Sequence, residues 1–162
     1  SMNPNYIILD AARCGLENIH KGKELCTERH RSLYMEKELT LLQRVAPYVF
    51  EITNNQEFMQ WYIREGLGKA WGIVLMTDWN FEATYDHFRR FLKVRKEDDT
   101  QLLFRFYDPR VLKLFLPTCN EDQLKQFFGK LEGIFLEEEN QNSGEVYSFT
   151  DKFLHKKPWS FS

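Results

Sequence analysis

Leu102-Leu103-Phe104-Arg105-Phe106-Tyr107-Asp108-Pro109-Arg110-Val111-Leu112-Lys113-Leu114-Phe115-Leu116 spells out a strand, a cap and a helix. Leu102, Phe104 and Phe106 fall on one face and Leu103, Arg105 and Tyr107 on the other, the period-two pattern of a strand. Both faces are substantially apolar. Asp108 is a favoured N-cap, and Pro109 sits at the first helical position, where its missing N–H costs nothing. Tyr107 and Leu112 take the two hydrophobic-staple positions. Such a cap is worth about 1 kcal/mol. Arg105 and Arg110 are the odd members, because an arginine among apolar neighbours needs a carboxylate or several carbonyls for its fork of donors. They read either as structural pins, the plainer reading, or as contacts to an anion or a partner.

Outward from this string, apolar strand-like runs alternate with amphipathic helix-like runs. The alternation predicts an α/β fold with a mixed, largely parallel sheet flanked by helices and a C-terminal hairpin at its edge. Strands are expected at Tyr6 to Leu9, Ser32 to Met35, Tyr48 to Ile52 and Trp71 to Met76, with Pro47 leading the third where its absent donor is harmless. Leu16 to Cys26 reads as a helix, and Leu39 to Arg44 as a helical turn or a loop. Asn54 with Glu57 is a capping-box pair ahead of Phe58, Trp61 and Tyr62, and Gly66 is placed to end that helix. Asn80 caps a helix carrying Phe81, Tyr85, Phe88 and Leu92 at helical spacing. Its other face holds Arg89, Arg90, Lys93, Arg95 and Lys96, either a solvated face with local charge pairing or a surface for an acidic partner, for which Arg90, Lys93 and Arg95 are the candidates.

Beyond the string, Pro117 closes one helix, and Asn120 with Gln123 opens another that Gly129 ends. Gly133 to Glu137 and Val146 to Thr150 flank Asn-Gln-Asn-Ser-Gly as a hairpin. One domain over residues 2–154 is expected, followed by a polar tail at 155–162 that is either disordered or a docking strand; Ser1 before Met2 is a cloning scar.

Composition narrows the function. With 28% charged residues and a formal net charge of −2, no global basic field points to nucleic acid or an anionic membrane. No apolar run approaches the ~20 residues needed to cross a bilayer, and no secretory layout opens the chain, so a cytoplasmic protein without membrane insertion is expected. Cys14, Cys26 and Cys119 are odd in number and widely spaced, against a disulfide framework. Cys26 and His30 would share a helix face as half of a zinc site, but the other half has no source, so no metal and no other cofactor is expected. The chain has no Gly-rich phosphate loop, nucleophile elbow or His-Glu-x-x-His pair. Asp10 at a strand end is a cap before it is a nucleophile, and Trp71-Gly72 is core with close backbone packing before it is a ligand platform.

Seven segments in order carry a resemblance. They are Tyr6 to Ala11, Ser32-Leu33-Tyr34, Leu42 with Val45 to Val49, Ala70 to Ile73, His87 to Val94, Phe104 to Arg110, and Phe127-Phe128-Gly129. Together they resemble the adaptor or chaperone family of bacterial type VI secretion, the Tap/TEC group, whose domain was long described only as one of unknown function. The resemblance implies a non-enzymatic protein that binds a toxin effector and loads it onto the spike protein (VgrG). It also marks Asp10, Tyr34, Pro47, Trp71, Gly72, Arg89, Phe104, Arg105, Tyr107, Asp108, Pro109 and Arg110 as motif positions, read here as structural. Family members often run on into further C-terminal sequence, so a partner surface carried there would be absent from this chain. The alternative is a small α/β ligand-binding domain or enzyme with a site near Asp10, Trp71 and Arg105.

Overall fold

A computed structural model describes residues 3–161 and, for residues 94 and 95, the backbone alone. Its strands are β1 (Tyr6–Asp10), β2 (His30–Ser32), β3 (Pro47–Glu51), β4 (Gly72–Met76), β5 (Lys93–Arg95), β6 (Gln101–Leu103), β7 (Gly133–Glu137), β8 (Ser143–Thr150) and β9 (Phe153–Ser160). Its helices are α1 (Ala11–Cys14), α2 (Leu16–Leu25), α3 (Glu36–Leu42), α4 (Gln56–Glu65), α5 (Phe81–Arg89), α6 (Pro109–Phe115) and α7 (Glu121–Phe128).

Seven strands form one sheet in the order β2-β3-β1-β4-β7-β8-β9, and every neighbouring pair is antiparallel. The expectation of a largely parallel sheet is therefore wrong. The cause is visible in β1, where all five residues are buried. A continuous apolar run reports that both faces of a strand are covered, which parallel sheets require but which says nothing of direction. Helices lie between many of the strands, yet β3 and β4 flank β1 on its two sides, each antiparallel to it.

The strand part of Leu102 to Tyr107 is also corrected. β6 ends at Leu103 and pairs only with β5, in a separate two-stranded ribbon. Phe104 then donates its N–H to the Leu92 carbonyl at 2.8 Å, and Asp108 N–H closes a turn on the Arg105 carbonyl at 3.1 Å. Arg105 therefore sits in a turn, off any strand. The alternating aromatics had mimicked a pleat, whereas their rings bury by clustering. Phe106 stacks on Phe88 with centroids 5.3 Å apart and meets Phe127 edge-on at 6.0 Å.

Smaller shifts occur where a polar residue competes with its neighbour for a cap or a turn. Asn55, not Asn54, caps α4 by accepting from Phe58 N–H at 3.1 Å. β2 lies two residues before the expected strand, and Cys26 falls past the end of α2, so Cys26 and His30 do not share a helix face. The capping box at Asn120 and Gln123 is present. The hairpin of β7 and β8 forms, but β8 begins at Ser143, so Ser143 and Gly144 of the expected turn cluster lie in the ladder, and β9 occupies the edge. Residues 155–160 belong to that strand, which pairs along its whole length with β8 across Asp151-Lys152, both with positive φ as such a two-residue turn requires.

Candidate functional site

The motif residues gather at one end of the sheet, where β1 finishes and β3 and β4 begin. Asp10 is fully buried and caps α1, its Oδ1 accepting from Ala12 N–H at 2.9 Å. Its Oδ2 accepts from the Arg105 guanidinium, which reaches it across 95 residues of sequence. Asp10 N–H donates to the Trp71 carbonyl at 2.8 Å, and Pro47 stands opposite Asp10 as the first residue of β3. Gly72 follows, and a Cβ there would come within 1.8 Å of the Ile8 carbonyl oxygen, so no larger residue fits. Trp71 is buried with its ring 5.6 Å from that of Trp61, which makes it core and removes it as a ligand platform.

Asp108 makes the second knot. Its Oδ1 accepts from Arg110 N–H at 2.9 Å and from Nε at 3.1 Å, and its Oδ2 from the same guanidinium at 2.8 Å. Pro109 opens α6 as expected. Phe104 packs its ring 4.7 Å from Phe115. Arg89 ties α5 to the segment after β2 by donating to the Leu33 carbonyl at 2.6 Å, beside buried Tyr34.

The electrostatics follow from this wiring. Burial raises the Asp10 carboxyl above its ordinary value although Arg105 pulls it down. Burial also acts to raise Asp108, but the Arg110 fork outweighs it and holds that carboxyl below the usual range. Burial pushes the Tyr107 phenol far up, and the neighbouring Tyr34 hydroxyl adds to the rise. Both carboxylates of the motif are thus satisfied within the chain, and Asp10 is capped, paired and out of reach of solvent.

The basic candidates are partly spoken for. Arg90 donates to His87 Nδ1 at 2.9 Å, with His87 Nε2–H donating to the Phe127 carbonyl at 2.6 Å, and Lys93 lies 3.9 Å from Glu38. The side chain of Arg95 lies outside the described residues.

Three features were missed in the sequence. Glu137 ends β7 almost wholly buried, accepting from Ala70 N–H at 2.8 Å and from the Tyr62 hydroxyl at 3.4 Å, and burial raises its carboxyl. It braces a turn in which Gly68 and Ala70 have positive φ and borders a cleft of about 310 Å³ walled by Arg13, Lys69, Pro109, Arg110, Lys113 and Leu114. Asp10, Trp71 and Arg105 take no part in that cleft. The second feature is an apolar surface on α3, which buries none of its residues and leaves Leu41 85% exposed, flanked by exposed Met35, Leu42 and Val45. Lys93, whose ammonium approaches Glu38 of α3, pairs across the ribbon with Leu103, itself exposed beside exposed Leu102. The third is a groove of about 860 Å³ at the opposite end of β1, between the start of the described chain, α4 and the end of β9. An apolar helix face announces α3 in the sequence, but nothing local announces the groove or the Glu137 brace, because both join distant segments.

Among the described residues no group of three or more His, Cys, Asp or Glu is placed to hold a metal ion, and no helix is long and apolar enough to cross a membrane. No curated protein and no solved structure matches the chain. Residues 5–126 match the model of a family described as a domain of unknown function, DUF4123, a span containing six of the seven motif segments and both carboxylate knots. The chain belongs to the DUF4123 family.

Proposed function

We propose that the protein is a non-enzymatic adaptor that binds a toxin effector of the bacterial type VI secretion system and presents it to the spike protein (VgrG) in the cytoplasm. The observation that carries this reading is the surface of α3 and the ribbon. A seven-residue helix is too short to be stable alone. Here it holds to the domain mainly through Leu39, which packs against the core, while Met35, Leu41, Leu42 and Val45 remain in water. Grouped exposed apolar side chains of this kind mark protein contacts more often than scattered ones do. An apolar helix or strand of the client laid across Leu41 and Leu103 would bury both. The motif knots at Asp10 and Asp108 then serve as scaffold, holding α1 and α6 to the sheet. The test is affinity capture of the tagged chain from its native host, with mass spectrometry of what stays bound. Recovery of one large protein together with a spike component supports the reading, and a Leu41→Lys chain that folds but loses that protein localises it. Full retention by Leu41→Lys would refute the surface, and a partnerless wild-type chain would refute the adaptor.

A further inference from the structure

We propose that the groove at the start of β1 binds an uncharged, extended polypeptide segment. Its source, the client effector, rests on the adaptor reading, whereas its chemistry rests on the groove alone. Fourteen residues line the groove and none is charged, where the chain-wide share of 28% would place about four. Depletion of charge with aromatic and Met side chains left in place is the composition of an interface core. Asn3, Asn54, Gln56 and Gln60 line the groove, and their side-chain amides make no hydrogen bond among the described residues. Each amide offers both donors and an acceptor, the complement of a peptide backbone, and none rewards a charged side chain. Met59 and Ile63 of α4 supply apolar contact between them.

Trp159 adds an unmet demand. Among the described residues its buried indole N–H has no hydrogen-bond partner, a demand that a carbonyl of a bound segment would meet. Tryptophan is also the residue type most often found to dominate binding energy at protein interfaces.

The edge of β9 adds a route. Thr150 and Phe153 close the two-residue turn, so the pairs Ser148 with His155, Val146 with Lys157, and Gly144 with Trp159 exchange hydrogen bonds with β8. Leu154, Lys156, Pro158 and Ser160 therefore direct their backbone groups outward, away from the sheet. Pro158 falls where its missing N–H costs the ladder nothing, and with Lys156 it blunts the middle of the edge against stray pairing. Ser160 is past that block and lines the groove, and among the described residues its outward N–H and C=O pair with no further strand. An extended segment can thus pair at Ser160 while its side chains meet Met59 and Ile63, which makes strand addition local to the groove.

The test uses the full chain and three end-blocked ten-residue peptides that alternate Val with Ser, Glu or Lys, together with a neutral oligosaccharide, maltohexaose. Binding is followed by two-dimensional ¹⁵N NMR, with the Trp159 indole N–H assigned by Trp159→Phe. The Val/Ser peptide should move that signal downfield and bind at least tenfold more tightly than either charged peptide. Ile63→Asp, its fold verified by circular dichroism, should weaken binding at least tenfold. Equal binding of the charged peptides, no binding of the Val/Ser peptide, preference for the oligosaccharide, or shifts confined to α3 would each overturn the inference. If the host client is captured equally by wild type and Ile63→Asp, the groove proposal fails while the adaptor reading stands. If the chain binds the Val/Ser peptide but captures no client, the adaptor reading fails while the chemistry of the groove stands.

Discussion

Arg105→Ala isolates what the Asp10 knot does. The substitution leaves a carboxylate with no solvent exposure, one backbone N–H donor and no counter-charge. Breaking a buried pair from one side costs roughly 3–5 kcal/mol when both partners are dry. Arg105 is 38% exposed, so water enters the space it vacates, and the expected loss falls to roughly 2–3 kcal/mol. For a domain of this size that lowers the midpoint of thermal unfolding by roughly 5–10 °C. The pH dependence supplies the sharper check. Burial already raises the folded-state value of Asp10, and removing Arg105 raises it further. A folded value above the unfolded one means that the folded chain takes up the proton first, so stability is lost as pH rises through the folded value. The deficit of the variant against wild type should thus be largest near pH 7 and shrink toward pH 5, measured by urea unfolding at each pH. Asp10→Asn, which keeps a capping oxygen without the charge, should remove most of that dependence on both backgrounds. A variant as stable as wild type at pH 7, or a deficit flat across this range, would refute the scaffold account of Arg105 and move it to a contact role.

Four further outcomes follow from single features. Asp108→Ala removes the cap of α6 and should cost about 1 kcal/mol in chemical denaturation, with Arg110 released to solvent. Gly72→Ala sets a methyl against the Ile8 carbonyl, a backbone group that cannot move aside, and should yield little soluble folded protein while the neighbouring Ile73→Val is tolerated. Burial lowers the folded value of His87 below the unfolded 6.5, so the stability it confers is complete above that value and is lost as pH falls below it; His87→Gln should flatten this slope in unfolding scans between pH 7 and 5. Pro158→Thr restores an outward N–H on β9, and light scattering should then show stronger concentration-dependent self-association than wild type.

Local chemistry was legible in the sequence and direction was not. The caps at Asp108, Asn80 and Asn120 could be placed because each is a contest decided within four residues. Gly72 could be read as a close approach because only backbone contact leaves no room for a side chain beside Trp71. The sense of the sheet was lost because Tyr6 to Leu9 carries the same apolar run whichever way its neighbours point. Phe104 and Phe106 misled for the opposite reason: their alternation came from filling an aromatic cluster around Phe88 and Phe127 rather than from a pleat. Arg105 was singled out as needing a carboxylate or several carbonyls, and its partner, a carboxylate 95 residues away, could only be found in three dimensions.

The same asymmetry explains why the recognisable residues are poor candidates for the contact itself. Asp10, Arg105, Asp108 and Arg110 have residue types that each demand a specific partner, and they supply one another. A surface built to receive another chain must instead hold its polar groups in reserve, at small cost while water satisfies them. Asn54, Gln56 and Gln60 meet that condition and belong to no motif string, and of the exposed apolar leucines of α3 only Leu42 does. Exposed amides exchange bonds to water for bonds to a partner at a modest net gain of about 1 kcal/mol each, so any one of them can change with little loss. The Asp10 knot loses several times that when Arg105 is removed, because the carboxylate left behind is buried, and the Asp108 knot loses the cap of α6. Substitutions at the exposed amides Asn54, Gln56 and Gln60 and at Leu41 should therefore leave the melting temperature within about 2 °C of wild type while altering what is bound. Substitutions in the two knots should do the reverse, lowering the melting temperature first and losing the partner only as the domain unfolds. A knot variant that melts normally but binds nothing, or an Asn54, Gln56, Gln60 or Leu41 variant that unfolds, would break this division.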